Sequence, residues 1–304
     1  MKLSEAMRWL VIGDGIQGRK RKQILGKKCV GVLDPYSKTA DFASIEDVPQ
    51  NYDVAAICTS QDAKLHYLTY FIGQRIPCLI EKPFPVIPHM EFERLNAECL
   101  SKGIFVYTAF NHRFEESLNK LSEILGKDLV GIPYYIHMRY GNGTVQDVLN
   151  SNWKNSKDGL LFDLGSHIFD LYTMQFGTNM TNLTIEQTAG FESLSSDYMR
   201  ISGKNVLIEL GYIFWKSDFR FEIWGSKGSV HVTGLKKWDN SQLVLRQRVL
   251  PSGVPVETLY KFSGPDTTWS QEHRYVEHQI NHNSKGIDFG GQGVNETILG
   301  LVNT

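Results

Sequence analysis

The chain has 304 residues, 41% hydrophobic and 21% charged, with a formal net charge of −1. That length suits two ordinary domains, and that balance excludes any bulk attraction to nucleic acid or to an acidic membrane surface. No apolar run reaches the roughly 18 residues of a membrane span, and the opening MKLSEAMRWLVIG lacks a leader's apolar core and cleavage site, so a cytoplasmic protein is expected.

Short apolar runs open the chain: RWLVIG (8–13), CVGVLD (29–34), DVAAICT (53–59), IPCLIEK (76–82) and IFVYTAF (104–110). Each has the composition of a parallel strand buried on both faces. HYLTYFIGQ and MEFERLNAECLSKG lie between the later runs and read as helices ending at Gly73 and Gly103. Alternating strands and helices imply an open α/β sheet. Cys29, Cys58, Cys78 and Cys99 are widely spaced, with no CxxC pair. They are expected to be reduced, buried thiols, and no metal site is expected.

Gly13-Asp14-Gly15-Ile16-Gln17-Gly18 follows the first strand and opens the first helix. A dinucleotide needs a tight turn, bare backbone beside its pyrophosphate, and close helix-to-strand packing, which gives each glycine a task. Gly13, Gly15, Ile16, Gln17 and Gly18 are therefore expected to hold the phosphates, with the Asp14 carboxylate turned away from them. Asp34 lies 21 residues after Gly13, where a carboxylate accepts hydrogen bonds from the adenosine ribose and repels a 2′-phosphate. NAD is expected, with NADP left open by Lys38. The run Arg19-Lys20-Arg21-Lys22 reads as a solvated helix face or as phosphate-holding charge. Only 18 residues separate Asp34 from Asp53, so the sheet must be abbreviated after its second strand.

From about residue 112 the texture changes to a helix (115–125), a strand (130–140), a polar loop (141–158) and the stretch GLLFDLGSHIFDLY (159–172). On a regular helix Asp163, His167 and Asp170 make one polar stripe. That stripe faces either water or a functional cleft. NVLIELGYIFW, DFRFEIWG, GSVHVTG and QLVLRQRVL then read as antiparallel strands with short turns. The expected fold is an N-terminal Rossmann dinucleotide-binding domain (1–112) followed by an α+β domain with a large, mostly antiparallel sheet (113–304).

Glu81-Lys82-Pro83-Phe84, Asn111-His112-Arg113-Phe114 and Asp163-Leu164-Gly165-Ser166-His167 join the glycine loop in one order. Together they resemble the Gfo/Idh/MocA oxidoreductases over residues 8 to 176. The resemblance implies that Lys82 touches the substrate hydroxyl and the nicotinamide ribose, that His167 is the acid/base, and that Asp163 is the carboxylate beside them. It also implies cofactor contacts from Thr59, Ser60, His66, Glu81 and Lys82. Ser60 stands where relatives have proline. The stripe then belongs to a cleft between the domains, with substrate contacts from Asp163 and His167. Arg113 either binds substrate or pairs with Glu115 or Glu116, and Trp153 either walls the pocket or packs locally. Asp170 reads as a structural acid of the helix.

Removing a carbinol hydride requires loss of the hydroxyl proton. An imidazole with a pKa near 6.5 accepts such a proton, and an ammonium stabilises the alkoxide. The resemblance therefore implies an NAD(P)-dependent dehydrogenase or reductase acting on a sugar, a nucleotide-linked sugar or a cyclic polyol. Three alternatives stand beside it: a glycosidase using a transient redox cycle on bound NAD, a non-catalytic dinucleotide-binding regulator, and a reductase of C=N or bilin bonds. The family's habit also implies a homodimer or homotetramer joined through the second sheet.

Overall fold

The computed structural model describes residues 7–193 and 195–303; the first six residues of the stretch read for a leader lie outside them. One unit comprises the chain up to Phe110 together with Trp269–Gln292; the other comprises Asn111–Thr268 with Gly293 onward.

The first unit begins with β1 (Trp9–Ile12), α1 (Ile16–Leu25), β2 (Cys29–Leu33), β3 (Val54–Ile57), α2 (Gln61–Gly73), β4 (Cys78–Glu81), α3 (His89–Lys102) and β5 (Phe105–Ala109). Every residue of β1, β3, β4 and β5 is buried, which is why these strands carry continuous apolar runs. Pairing is parallel throughout. Between β2 and β3 there is only a single 3-10 turn, Ile45–Asp47, and one bridge from Leu33 to Phe42. Phe42 lies directly over Gly31, where a Cβ would come within 2.5 Å of its ring. One aromatic ring thus packs against β2 where the chain between β2 and β3 is abbreviated.

The second unit contains α4 (Glu116–Gly126), β6 (Pro133–Gly141), α5 (Val145–Leu149), a π-helical turn (Leu161–Gly165) and α6 (Ser166–Phe176). Seven strands follow: β7 (Thr184–Ala189), β8 (Tyr198–Gly203), β9 (Val206–Gly211), β10 (Asp218–Gly225), β11 (Gly228–Thr233), β12 (Ser241–Gln247) and β13 (Val256–Phe262). Their order is β13-β12-β11-β10-β6-β9-β8-β7. All neighbours are antiparallel except β6 and β9. The run NVLIELGYIFW stops being strand at Gly211, because β6 rather than β9 is the partner of β10 and the chain must turn to cross it. Burial alternates along β10, with Phe219, Phe221 and Ile223 inside, the period-2 signature of a sheet with one face on the core. The opposite face carries His137, Arg139, Glu209 and Glu222, which pair with one another.

The chain then forms α7 (Thr268–Asn281), β14 (Gly286–Ile287) and α8 (Phe289–Val302). β14 pairs in parallel with β5, completing a first sheet ordered β14-β5-β4-β3-β1-β2. The expected split into 1–112 and 113–304 needs correction here, since residues 269–292 return to the first unit. The reason is polar anchoring: Glu277 accepts from Trp9 Nε1 at 3.0 Å and from Lys28 Nζ at 2.8 Å. The fold class itself, a Rossmann-like parallel sheet plus a mostly antiparallel one, is as expected.

Candidate dinucleotide and catalytic sites

In the first unit, the glycine loop has the geometry its sequence implies. Gly13 has φ +99°, and a Cβ there would lie 2.7 Å from the Cys58 carbonyl. A Cβ on Gly18 would lie 1.8 Å from the Gly13 carbonyl, so only glycine lets α1 close on the turn. Gly15 differs: nothing lies within 4 Å of its Cβ position. It is the N-cap of α1 and provides no side-chain cap, leaving the helix N-terminus to be satisfied from outside. Ile16 beside it is 86% exposed. Thr59 Oγ1 is buried and has no hydrogen-bond partner among the described residues. An uncapped helix end, open space over Gly15 and an orphaned hydroxyl fit the phosphates and ribose of a dinucleotide.

Asp34 accepts the Asp14 N–H at 2.8 Å and the Tyr36 N–H at 2.9 Å, one on each carboxylate oxygen. Each oxygen retains acceptor capacity for a ribose hydroxyl. The Asp14 carboxylate turns toward the loop after β2, where it accepts from Ser37 and Thr39.

The end of β4 is held from two sides. Glu81 accepts from Arg21 Nε at 2.8 Å, so its carboxylate is directed into the unit. Lys64 of α2, 3% exposed, donates to the Pro83 carbonyl at 2.8 Å, and Gln61 Nε2 donates to the Phe84 carbonyl at 3.0 Å. Burial pulls the Lys64 ammonium down to about 7. Lys82 itself is half-buried between these clamps. His66 lies on the exposed face of α2 with Tyr67 against its ring. Of the four basic residues on α1, Arg21 is fully buried and ion-paired to Glu81 and Glu272. It is therefore neither solvated nor phosphate-holding charge.

In the second unit, the stripe does not face water: Asp163, His167 and Asp170 are all buried. Nor is it regular α-helix, since Asp163 sits in the π-helical turn and His167 in the first turn of α6. Such turns recur at functional sites because they re-aim side chains. Asp163 Oδ2 pairs with Lys154 Nζ at 2.9 Å and accepts from the Tyr212 hydroxyl at 3.2 Å. Burial and that carboxylate push the Tyr212 hydroxyl pKa well up. The His167 ring lies 4.0 Å, centroid to centroid, from the buried ring of His112, and meets Tyr140 edge-on at 5.8 Å.

Arg113 pairs with neither Glu115 nor Glu116. It forks onto Asp170, with Nη2–Oδ1 at 2.6 Å, while Glu115 accepts from the Lys236 and Lys237 backbone. Trp153 is 48% exposed.

A family model for the GFO/IDH/MocA C-terminal domain matches residues 118–231. Those residues are similar to that family's C-terminal domain. The family model thus points to the same family as the sequence motifs. Among solved structures, an oxidoreductase from Desulfitobacterium hafniense, assigned as NADPH-dependent, is 14% identical, with a TM-score of 0.83 over 98% of this chain and 95% of that one. UDP-N-acetylglucosamine 3-dehydrogenase GnnA from Acidithiobacillus ferrooxidans is 16% identical, with a TM-score of 0.77 over 97% and 96%. An Agrobacterium radiobacter oxidoreductase, crystallised with NAD+, L-tartaric acid and magnesium, is 13% identical, with a TM-score of 0.78 over 98% and 95%. At these identities the likeness is one of fold. No curated protein matches.

In the second unit Asp163 meets Lys154 and Tyr212, and His167 meets His112. Sequence reasoning missed Lys154, Tyr212 and His112. Lys154 is adjacent to Trp153, and His112 lies inside the NHRF motif; both signals were in view but local. Tyr212 had only an aromatic run to announce it. Among the described residues no helix is long and apolar enough to cross a membrane.

Proposed function

We propose that this protein is an NAD-dependent dehydrogenase or reductase acting on a CH–OH group of a sugar, a nucleotide-linked sugar or a cyclic polyol. The observation that carries the reading is the buried His167, with the partnered Asp163 carboxylate one turn before it, in a stretch similar to the GFO/IDH/MocA C-terminal domain. A buried imidazole beside a fixed carboxylate is the equipment of proton transfer, and a solvated polar stripe would not be. GnnA, a sugar-nucleotide dehydrogenase of similar fold, supports the substrate class.

Gly13, Gly15, Ile16, Gln17, Gly18 and Thr59 would hold the dinucleotide phosphates and ribose, and Asp34 the adenosine hydroxyls. Bound nicotinamide supplies a hydride acceptor. His167 takes the proton of the substrate hydroxyl in oxidation and returns it in reduction. Lys82 stabilises the alkoxide electrostatically, its strand end held by Lys64, Gln61 and Arg21. Asp163, tied to Lys154 and Tyr212, favours the imidazolium that forms. Arg113 and Trp153 are proposed to border the substrate, and Ser60, His66 and Glu81 to support the cofactor side. The protein is proposed to be a cytoplasmic homodimer or homotetramer joined through the open face of its second sheet; its four free cysteines fit a reducing compartment.

The test is a substrate screen with sugars and nucleotide sugars, followed by absorbance of reduced nicotinamide, on wild type, Lys82→Ala and His167→Ala. Each variant should lose about two to four orders of magnitude in turnover while binding NAD within a few-fold of wild type. Unchanged turnover in either would remove that residue's role. Trapped NAD without net reduction would favour the glycosidase.

A further inference from the structure

We propose that Asp14 is a built-in anion that occupies the place of a 2′-phosphate and makes the site reject NADP. The proposal rests on the dinucleotide reading given above. Asp14 directly follows the first glycine of the loop, and its N–H donates to Asp34 at 2.8 Å. It therefore adjoins the acid at the end of β2, the place where dinucleotide folds meet the ribose 2′ position. Hydroxyl and arginine donors in this neighbourhood are the usual means of holding a 2′-phosphate.

Such donors are present here, and Asp14 takes them. Its Oδ2 accepts from Ser37 Oγ at 2.5 Å and from Thr39 Oγ1, while Oδ1 accepts from Arg19 Nε at 3.2 Å. Ser37 Oγ and Thr39 Oγ1 lie 3.0 Å apart, so both hydroxyls converge on the same carboxylate oxygen. Asp14 is 7% exposed. The Ser37 and Thr39 hydroxyls, with Arg19, hold its carboxyl down at about 2, so the charge is present at any physiological pH. Lys38, the residue that leaves NADP open in the sequence, is exposed between those two hydroxyls.

A 2′-phosphate would bring a nearly double negative charge to two carboxylates, Asp14 and Asp34, and would find its donors engaged. A ribose hydroxyl needs only an acceptor, which Asp34 supplies. Like-charge juxtaposition of this kind is unfavourable, and specificity built on repulsion is lost when the repelling group is removed.

The experiment measures Kd for NAD+ and NADP+ by calorimetry on wild type, Asp14→Ser, the near-isosteric Asp14→Asn, and Asp14→Ser combined with Arg19→Ala. In either single variant, the ratio Kd(NADP+)/Kd(NAD+) should fall at least about tenfold, with NAD+ affinity within about threefold of wild type. Adding Arg19→Ala should reverse most of the gain, because it removes a donor that the phosphate would use. Equal weakening of both nucleotides, or an unchanged ratio in a variant that keeps the wild-type circular dichroism, would overturn the proposal and leave Asp14 as a tie for the loop. If wild type binds NAD+ but the ratio does not move, only this inference fails. If wild type binds neither nucleotide, the dinucleotide reading falls and the inference with it.

Discussion

Arg21 and Glu81 form a buried ion pair, 2.7 Å between Nη2 and Oε1, and Glu272 meets the same nitrogen at 2.7 Å. Arg21 Nη1 lies 3.0 Å from His273 Nε2. Arginine cannot accept, so Nε2 must, and His273 is neutral. Burial and the guanidinium depress its pKa to about 2. Removing one member of such a cluster strands charge in a dry interior. Arg21→Ala is therefore expected to cost about 3–5 kcal/mol in urea unfolding, and Arg21→Lys to recover little of it, because an ammonium cannot fork onto two carboxylates and an imidazole. A variant as stable as wild type would show that the cluster contributes nothing.

The glycines of the loop separate fold from ligand. Gly18→Ala places a methyl 1.8 Å from the Gly13 carbonyl. It should lower stability by several kcal/mol or prevent folding, because what the methyl meets is the Gly13 backbone rather than a side chain that could yield. Gly15→Ala meets nothing within 4 Å and should melt close to wild type, yet bind NAD+ at least about tenfold more weakly because the methyl crowds the pyrophosphate approach. Thermal melts beside calorimetry separate the two. Undiminished NAD+ affinity in Gly15→Ala would move the phosphates elsewhere.

Lys64 gives a pH signature. Its folded pKa of about 7 lies below the ordinary lysine value of 10.5, so between these values the unfolded chain binds the extra proton. This group's contribution to stability therefore rises with pH across that window, by at most about 1.4 kcal/mol per unit, and below it the burial penalty stands in full. Urea titrations of wild type and Lys64→Met at several pH values from 7 to 9 should show the increment in wild type alone. Parallel pH profiles would sink this assignment.

Asp170 is 1% exposed and takes Arg113 in a fork. Asp170→Ala should destabilise by about 3–5 kcal/mol by leaving a mostly buried guanidinium without its carboxylate. Asp170→Ala melting like wild type, with substrate affinity lost, would instead make the pair a binding device.

Much of this protein was legible because its signals are local. The strand runs of the first sheet needed only continuous apolar residues. The glycine loop needed only turn chemistry, and the abbreviation after β2 only a count of residues. The DxGxH stretch announced a polar stripe in apolar surroundings. What lay beyond reach was the partner of each charge. Arg21 sits in a basic run that reads as solvated, and it is buried only because Glu81, 60 residues away, and His273, 252 residues away, meet it. Nothing local marks Lys64, which is enclosed because the Pro83 carbonyl after β4 and the Gln61 side chain take its donors, while His66, the histidine the motif favoured, points outward. The return of residues 269–292 to the first sheet and the parallel pairing of β6 with β9 are likewise long-range. Periodicity and turn residues report the chain's immediate geometry. Whether a charge is solvated or buried depends on distances that only the folded backbone sets.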